Sequence, residues 1–370
     1  MVSGSKNRPF GVIKMKKPLV IFGSIALIAA LAYSQRVSIV TRVMEKGLEV
    51  RMGADTVDDL PDGLHVGLCG AGGPMPAPNA SGPCVVVVAG KRFFIVDAGS
   101  DAIRNVARMG FQPGTLQGVF LTHFHSDHLD GLGEAGTIRW AAGDNSSPLP
   151  VYGPEGVQRV VQGFNLAYSQ DFSYRHEHHG DSVAPLSGAG LKAVPFDQPP
   201  MGELTAVLSE GGLTVEALAV DHSPIDPAVG YRFSYKGRSV LITGDTVKLA
   251  NIEKFAEGVD ILVHEALSPK LVGMMNDAAK NSGNQIMAKI THDILDYHTS
   301  PVEAAETARD AGVGHLLYYH IVPPLIFPGQ ELLYLDGAQD IFPDYTLGED
   351  GVLFSLPAGS EDILKISDGL

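Results

Sequence analysis

A layered α/β fold is predicted for this chain, and two observations carry the prediction. Short apolar runs recur along the sequence with helix-like segments between them, the alternation expected when helices cover the faces of a sheet. Several of these runs also end on metal-capable residues, at Thr122-His123, Asp221-His222, Val263-His264-Glu265 and Tyr319-His320. Strand ends that carry such side chains converge on one edge of a sheet, where α/β architectures assemble ligand sites from loops. With 370 residues the chain can bury a large core.

The amino terminus differs in kind. Lys6, Arg8, Lys14, Lys16 and Lys17 precede an apolar run over 19–32 that ends in Ala30-Leu31-Ala32. A basic region, a short apolar region and an Ala-x-Ala site are the parts of a secretory signal. An uncleaved membrane anchor is the alternative, although the run is short for a span. Residues 1–35 are therefore expected to send the protein to the periplasm or outside the cell, or to anchor it, with no other membrane contact. Residues 36–60 read as a leader, and 61–370 as one domain.

The charge balance is 27 basic against 42 acidic residues, a net −15. A nucleic-acid partner is disfavoured on this ground, since phosphate binding relies on basic surface. The two cysteines, Cys69 and Cys84, flank a loop rich in glycine and proline. An exported protein can oxidise them, and two buried thiols are the other reading. The loop, Gly70-Ala71-Gly72-Gly73-Pro74-Met75-Pro76, lacks the Lys-Ser/Thr ending of a phosphate cradle and reads as a turn.

Strands are expected at 84–89, 92–96 and 116–122, the second ending in Asp97-Ala98-Gly99-Ser100. After an amphipathic segment that ends near Ala142 come a strand at 151–154 and a helix over 155–166. His176-Glu177-His178-His179 reads as a polar rim loop. A strand at 213–220 ends in Asp221-His222, a hairpin turns at Lys236-Gly237, and its second strand leads to Thr243-Gly244-Asp245-Thr246. A strand at 259–263 delivers His264-Glu265-Ala266. Ser300-Pro301-Val302-Glu303 has the form of a helix start, with a serine cap, proline first and glutamate third. That helix, over 301–311, precedes a strand at 315–319 that ends at His320. The tail from 323 to 370 reads as closing structure with one strand at 352–356.

The densest chemistry lies in His123-Phe124-His125-Ser126-Asp127-His128. Three imidazoles and a carboxylate that close would be costly to desolvate in a core and have no use in a solvated loop. His123 and His125 point the same way along an extended tip and can hold one ion, while Asp127 and His128 face a neighbouring position. Four ligands in two offset pairs suggest two metal ions, each needing further ligands from elsewhere in the chain.

His-x-His-x-Asp-His after a strand resembles the signature of the metallo-β-lactamase superfamily of metal-dependent hydrolases. The resemblance spans about residues 64–325 and implies a four-layer αβ/βα sandwich. It implies one zinc on His123, His125 and His222, a second on Asp127, His128 and His320, and Asp245 bridging both. Manganese or iron are alternatives to zinc. Asp97 is then a support for the metal loop, with His264 and Glu265 also in supporting positions. Such an ion pair can lower the proton affinity of a shared water toward neutral pH and polarise a substrate oxygen, and Asp127 is placed to orient that nucleophile.

Asp245 in place of a bridging cysteine points away from β-lactamases and toward phosphodiesterases, lactonases and arylsulfatases. The His264-Glu265-Ala266 turn and His298, one helix before the last ligand, resemble the ribonuclease Z branch, where the corresponding histidine donates a proton to the leaving oxygen. Here Thr299-Ser300 inverts the usual Ser-Thr order. Only 22 residues lie between His222 and Asp245, which leaves no room for the long arm that grips transfer RNA in that branch. The expectation is a binuclear zinc hydrolase of phosphodiesters or related esters, with Asp127 and His298 catalytic and homodimerisation left open. An arylsulfatase- or lactonase-like hydrolase is the enzymatic alternative, and a metal-binding scaffold without catalysis is the alternative of another class.

Overall fold

The computed structural model describes Met1 and residues 31–370. Most of the expected export or anchor segment lies outside the described residues. The chain divides into two units, Met1–Ala54 and Asp55–Leu370. The described part of the first is dominated by a helix, Arg36–Gly53, with no buried residue. Among the described residues no helix is long and apolar enough to cross a membrane. The compact unit begins at Asp55, a few residues earlier than the expected boundary at 61, because Val57 and Leu60 are buried in its core.

That unit contains two mixed sheets. The first has eight strands in the order β15-β14-β1-β2-β3-β4-β5-β6 and the second seven, β13-β12-β11-β10-β9-β8-β7. The strands of the first are β1 (Gly63–Gly70), β2 (Cys84–Ala89), β3 (Arg92–Val96), β4 (Val119–Phe120), β5 (Leu149–Gly153), β6 (Leu191–Pro195), β14 (Val352–Pro357) and β15 (Leu364–Asp368). Those of the second are β7 (Leu204–Glu210), β8 (Leu213–Ala219), β9 (Val229–Tyr235), β10 (Arg238–Ile242), β11 (Ile261–Leu267), β12 (His315–Val322) and β13 (Tyr345–Leu347).

Side-chain alternation along each strand assigns the layers. Val85, Val87, Phe94, Val96 and Phe120 meet Val215, Tyr231, Phe233, Val240, Ile242, Val263 and Tyr319 between the sheets. The intervening Val86, Val88, Phe93 and Ile95 face outward, onto Ile103, Val106, Leu132 and Val157 from the helices Ala102–Arg108, Leu132–Gly143 and Val157–His179. On the far side Leu241, Leu262, Leu316 and Tyr318 pack against Ile252, Leu271, Ala304 and Ala308 of another helical layer. Each fully buried aliphatic side chain contributes roughly 1.5–3 kcal/mol. The predicted four-layer sandwich is the observed one.

Several expected elements take different bounds. The strand over 116–122 shortens to Val119–Phe120, because Pro113–Thr115 forms a turn of 3₁₀ helix just before it. The helix over 155–166 continues to His179, so His176-Glu177-His178-His179 ends a 23-residue helix and is not a loop. His264-Glu265-Ala266 lies inside β11 rather than in a turn. The β9–β10 hairpin turns where expected: Lys236 and Gly237 both take positive φ, 47° and 84°, as a two-residue hairpin turn requires. Cys69 and Cys84 form a disulfide, which resolves the open choice and closes the base of the glycine-rich loop.

Candidate metal centre

All seven histidines and aspartates expected to hold metal meet at one edge of the sandwich. β4 delivers His123, β8 leads to His222, β10 to Asp245, and β12 carries His320. The segment His123–His128 then turns, through Ser126–His128 in a single 3₁₀ turn, so that His125 and Asp127 project on either side. Close backbone packing holds this turn: a Cβ on Gly99 would come 2.5 Å from the Asp127 carbonyl oxygen and 2.4 Å from the Gly82 carbonyl carbon.

The donor atoms form two groups that share one oxygen. In the first, His125 Nδ1 lies 3.0 Å from His123 Nε2 and 3.3 Å from His222 Nε2, and Asp245 Oδ2 lies 3.9 and 3.8 Å from the same Nε2 atoms. In the second, Asp127 Oδ2 is 3.6 Å from His128 Nε2 and 3.3 Å from His320 Nε2. Asp245 Oδ2 is 3.4 and 3.3 Å from those two nitrogens. Donors about 2.0–2.1 Å from a tetrahedral ion stand about 3.3–3.4 Å apart, the middle of this range.

The surrounding hydrogen bonds fix which ring nitrogen carries a proton. Asp97, wholly buried and held at φ 58°, accepts from Thr122 N, Thr122 Oγ1 and His128 Nδ1, each at 2.8 Å. Since the Thr122 hydroxyl hydrogen goes to Asp97, the 3.1 Å contact from His123 Nδ1 makes that nitrogen the donor. His222 Nδ1 donates to the Tyr297 carbonyl at 2.9 Å. In all three rings the Nε2 lone pair is thus left facing the centre. His128 Nε2 and Asp245 Oδ1 are buried without a partner, and lone pairs that crowd together need a cation among them. His320 sits at φ 45°, a strained conformation for a residue with a side chain, of the kind that gathers at functional sites.

The electrostatics agree. Burial pushes His123 well below the usual histidine range, and neighbouring imidazoles add to it. Burial opposes charge on His128, but Asp245 and Asp97 outweigh it and hold its proton affinity well above the ordinary value. Asp245 stays ionised far below its usual range, its burial outweighed by His320 and His128. The potential here favours positive charge, and the donor set of five imidazoles and two carboxylates fits a pair of transition-metal ions.

A cleft of about 240 Å³ opens over the centre, lined by Pro74, His125, Ser126, Asp127, Asp245, Tyr297, His298 and His320. His298 is almost fully buried, and its Nδ1 donates to Glu265 Oε1 at 3.2 Å. Burial lowers its proton affinity, but the Glu265 carboxylate, helped by Asp245, raises it further, to about 9. Glu265 also accepts from Thr299 N at 3.0 Å and Thr246 N at 3.2 Å. It thereby ties the His298 and Asp245 segments together.

His264 is a correction. Its neighbours Val263 and Glu265 face the space between the sheets, so alternation turns His264 outward. There its Nδ1 bonds the Glu265 carbonyl, and among the described residues no hydrogen bond links it to a candidate ligand. His176, His178 and His179 do not line the cleft either. The sequence reading missed Thr122, Thr246, Tyr297 and Thr299. Each is a chain neighbour of a residue already singled out: Thr122 precedes His123, Thr246 follows Asp245, and Tyr297 and Thr299 flank His298.

Comparison with known proteins gives a consistent picture. The β-lactamase superfamily domain matches residues 92–321. A protein of Mycobacterium bovis (strain BCG / Pasteur 1173P2) named ribonuclease Z is 36% identical over 274 residues, covering 72% of this chain and 89% of the relative. One of the same name from Mycobacterium avium (strain 104) is 34% identical over 289 residues, covering 78% and 96%. Among solved structures, the metallo-β-lactamase fold protein YhfI from Bacillus subtilis superposes with a TM-score of 0.55 at 20% identity, over 79% of this chain and 99% of that one. The short form of human tRNase Z does so with 0.54 at 19%, over the same shares.

Proposed function

This chain belongs to the β-lactamase superfamily, with close relatives named ribonuclease Z, and from that premise we propose that it is a metal-dependent phosphodiesterase of the ribonuclease Z type. The observation that carries the proposal is the pair of donor groups, with Asp245 Oδ2 within 3.9 Å of nitrogens from both and His298 beside them in the same cleft. His123, His125 and His222 would hold one ion, Asp127, His128 and His320 the other, and Asp245 both. Zinc is the metal we infer from the imidazole-rich set, with manganese or iron as alternatives.

Ions bound there supply charge that polarises a phosphoryl oxygen and lower the proton affinity of water at the site. The chain's own residues do the rest. Asp127 would help hold an ion, and its carboxylate, at the cleft wall, orients the attacking water. With Nδ1 committed to Glu265, His298 has one proton to give, on Nε2, and it passes this proton to the leaving oxygen as the phosphorus–oxygen bond breaks. Glu265 keeps His298 charged until that moment.

The relatives' name points to RNA as the first substrate class to test. Small diesters are the second, supported by the absence of any lysine or arginine among the described residues that line the cleft and by 42 acidic against 27 basic residues in the chain. Hydrolysis of bis(p-nitrophenyl) phosphate and of a precursor transfer RNA is the test. Turnover that disappears on chelation and returns with added metal supports the proposal. Protein with two ions bound that cleaves neither would refute it.

We also infer that residues 1–35 export or anchor the protein. The Cys69–Cys84 disulfide supports an oxidising compartment. Cell fractionation of the full chain tests this, and a cytosolic pool alone would contradict it.

A further inference from the structure

The phosphodiesterase reading leaves open what holds the organic part of the substrate. The usual grip on a polynucleotide is a row of cations, and among the described residues no lysine or arginine lines the cleft. It offers instead two apolar surfaces in its lining, Pro74 and Tyr297. Tyr297 is half-buried, and its hydroxyl makes no hydrogen bond among the described residues. Its backbone is tightly fixed, because its carbonyl accepts the 2.9 Å hydrogen bond from His222 Nδ1. The ring is fixed too: it stands edge-on to His222, with centroids 4.8 Å apart and planes at 80°, and lies 4.7 Å from His298 at 46°. An aromatic side chain held on two sides and open on the remainder is a preformed platform.

Its place beside His298 decides which part of the substrate it meets. His298 gives its proton to the leaving oxygen, so the group attached to that oxygen lies on the His298 side of the scissile phosphorus, over Tyr297. We propose that Tyr297 receives a planar ring of the leaving group, by stacking, and that this contact replaces cationic grip in selecting the substrate. The inference rests on the phosphodiesterase reading for the role of His298. A nucleobase and a simple aryl ring share the chemistry, since every such ring offers a π-face.

The test is binding to the metal-loaded protein, measured by calorimetry with adenosine 3′-monophosphate, phenylphosphonate and methylphosphonate. Native protein is compared with Tyr297→Leu, which removes the ring, and Tyr297→Phe, which keeps it, with metal content determined for each. Tyr297→Leu is expected to weaken a ring-bearing ligand about 5- to 30-fold and to leave methylphosphonate within about twofold, while Tyr297→Phe restores ring binding. Loss confined to the adenosine ligand identifies a nucleobase, and loss confined to phenylphosphonate an aryl group. Equal affinities for all three ligands in native protein and Tyr297→Leu, or a loss that includes methylphosphonate to the same degree, would overturn the proposal. Because binding is read directly, a native protein that turns over no diester counts against the phosphodiesterase reading and leaves this measurement standing.

Discussion

Replacing Asp97 by Asn removes one charge and changes almost no volume, yet it should disable one half of the metal centre. The Asp97 carboxylate accepts three hydrogen bonds of 2.8 Å and has no proton to donate. An asparagine there has a single acceptor oxygen. If that oxygen stays with Thr122 N, its amide nitrogen confronts the Nδ1 proton of His128, donor against donor. His128 relieves the clash by moving its proton to Nε2, the nitrogen that faces Asp127 and Asp245, and a protonated nitrogen cannot bind metal. The charge-assisted bond to His128 is worth about 1.5–3 kcal/mol, which matches the 10- to 100-fold loss of metal affinity typical of such changes. His123 is reached only through the Thr122 hydroxyl, which can rotate, so its group should be less affected. Chelator competition should therefore show two ions of similar affinity in the native protein and one weakened 10- to 100-fold in Asp97→Asn. Two ions with native affinity in the variant would refute the tautomer argument, and equal loss of both would show that Asp97 supports the fold rather than one nitrogen.

Three further outcomes follow from the same geometry. Glu265→Gln keeps an acceptor for the Thr246 and Thr299 amides but removes the charge that raises His298 to about 9. An acid must hold its proton, so activity falls as pH rises through its value. The alkaline limb of the kcat profile should move to lower pH, each unit costing about tenfold above it, and an unmoved limb would remove His298 as the proton donor. Replacing Cys69 and Cys84 together by alanine opens a crosslink spanning 15 residues and should cost about 3 kcal/mol in urea unfolding; an unchanged midpoint would contradict it. Gly99→Ala drives a methyl group into the backbone of Gly82 and Asp127. Metal analysis should show the Asp127 group weakened, and native metal content would mean the turn yields more easily than its packing indicates.

Much of the site was legible because each segment that carries candidate ligands follows a hydrophobic run, and packing alone does not place His or Asp at the end of one β-branched and aromatic run after another. The helix after Ser300 was equally plain, since its capping box is present in full. The misplacement of His264 has a specific cause. Read as a turn, His264-Glu265 could send both side chains inward, but a continuing strand must turn one of them away. The histidine-rich end of Val157–His179 looked like a loop because that helix buries only Val157 and Val161 and shows little apolar periodicity. The helices Pro269–Asn281 and Gln285–Asp293 went unread although Ser268 and Asn284 cap them. Thr246 and Thr299 act through backbone amides on Glu265, a contact between distant segments that a sequence does not display.

The most direct test is metal stoichiometry in the native protein beside a protein in which His222 and His320, one from each donor group, are both replaced by alanine. The account predicts two transition-metal ions per native chain and a loss of at least one from the double variant, with its fold intact by circular dichroism. A native chain that takes up no metal at any supplied concentration, or a double variant that retains two ions at native affinity, would contradict it.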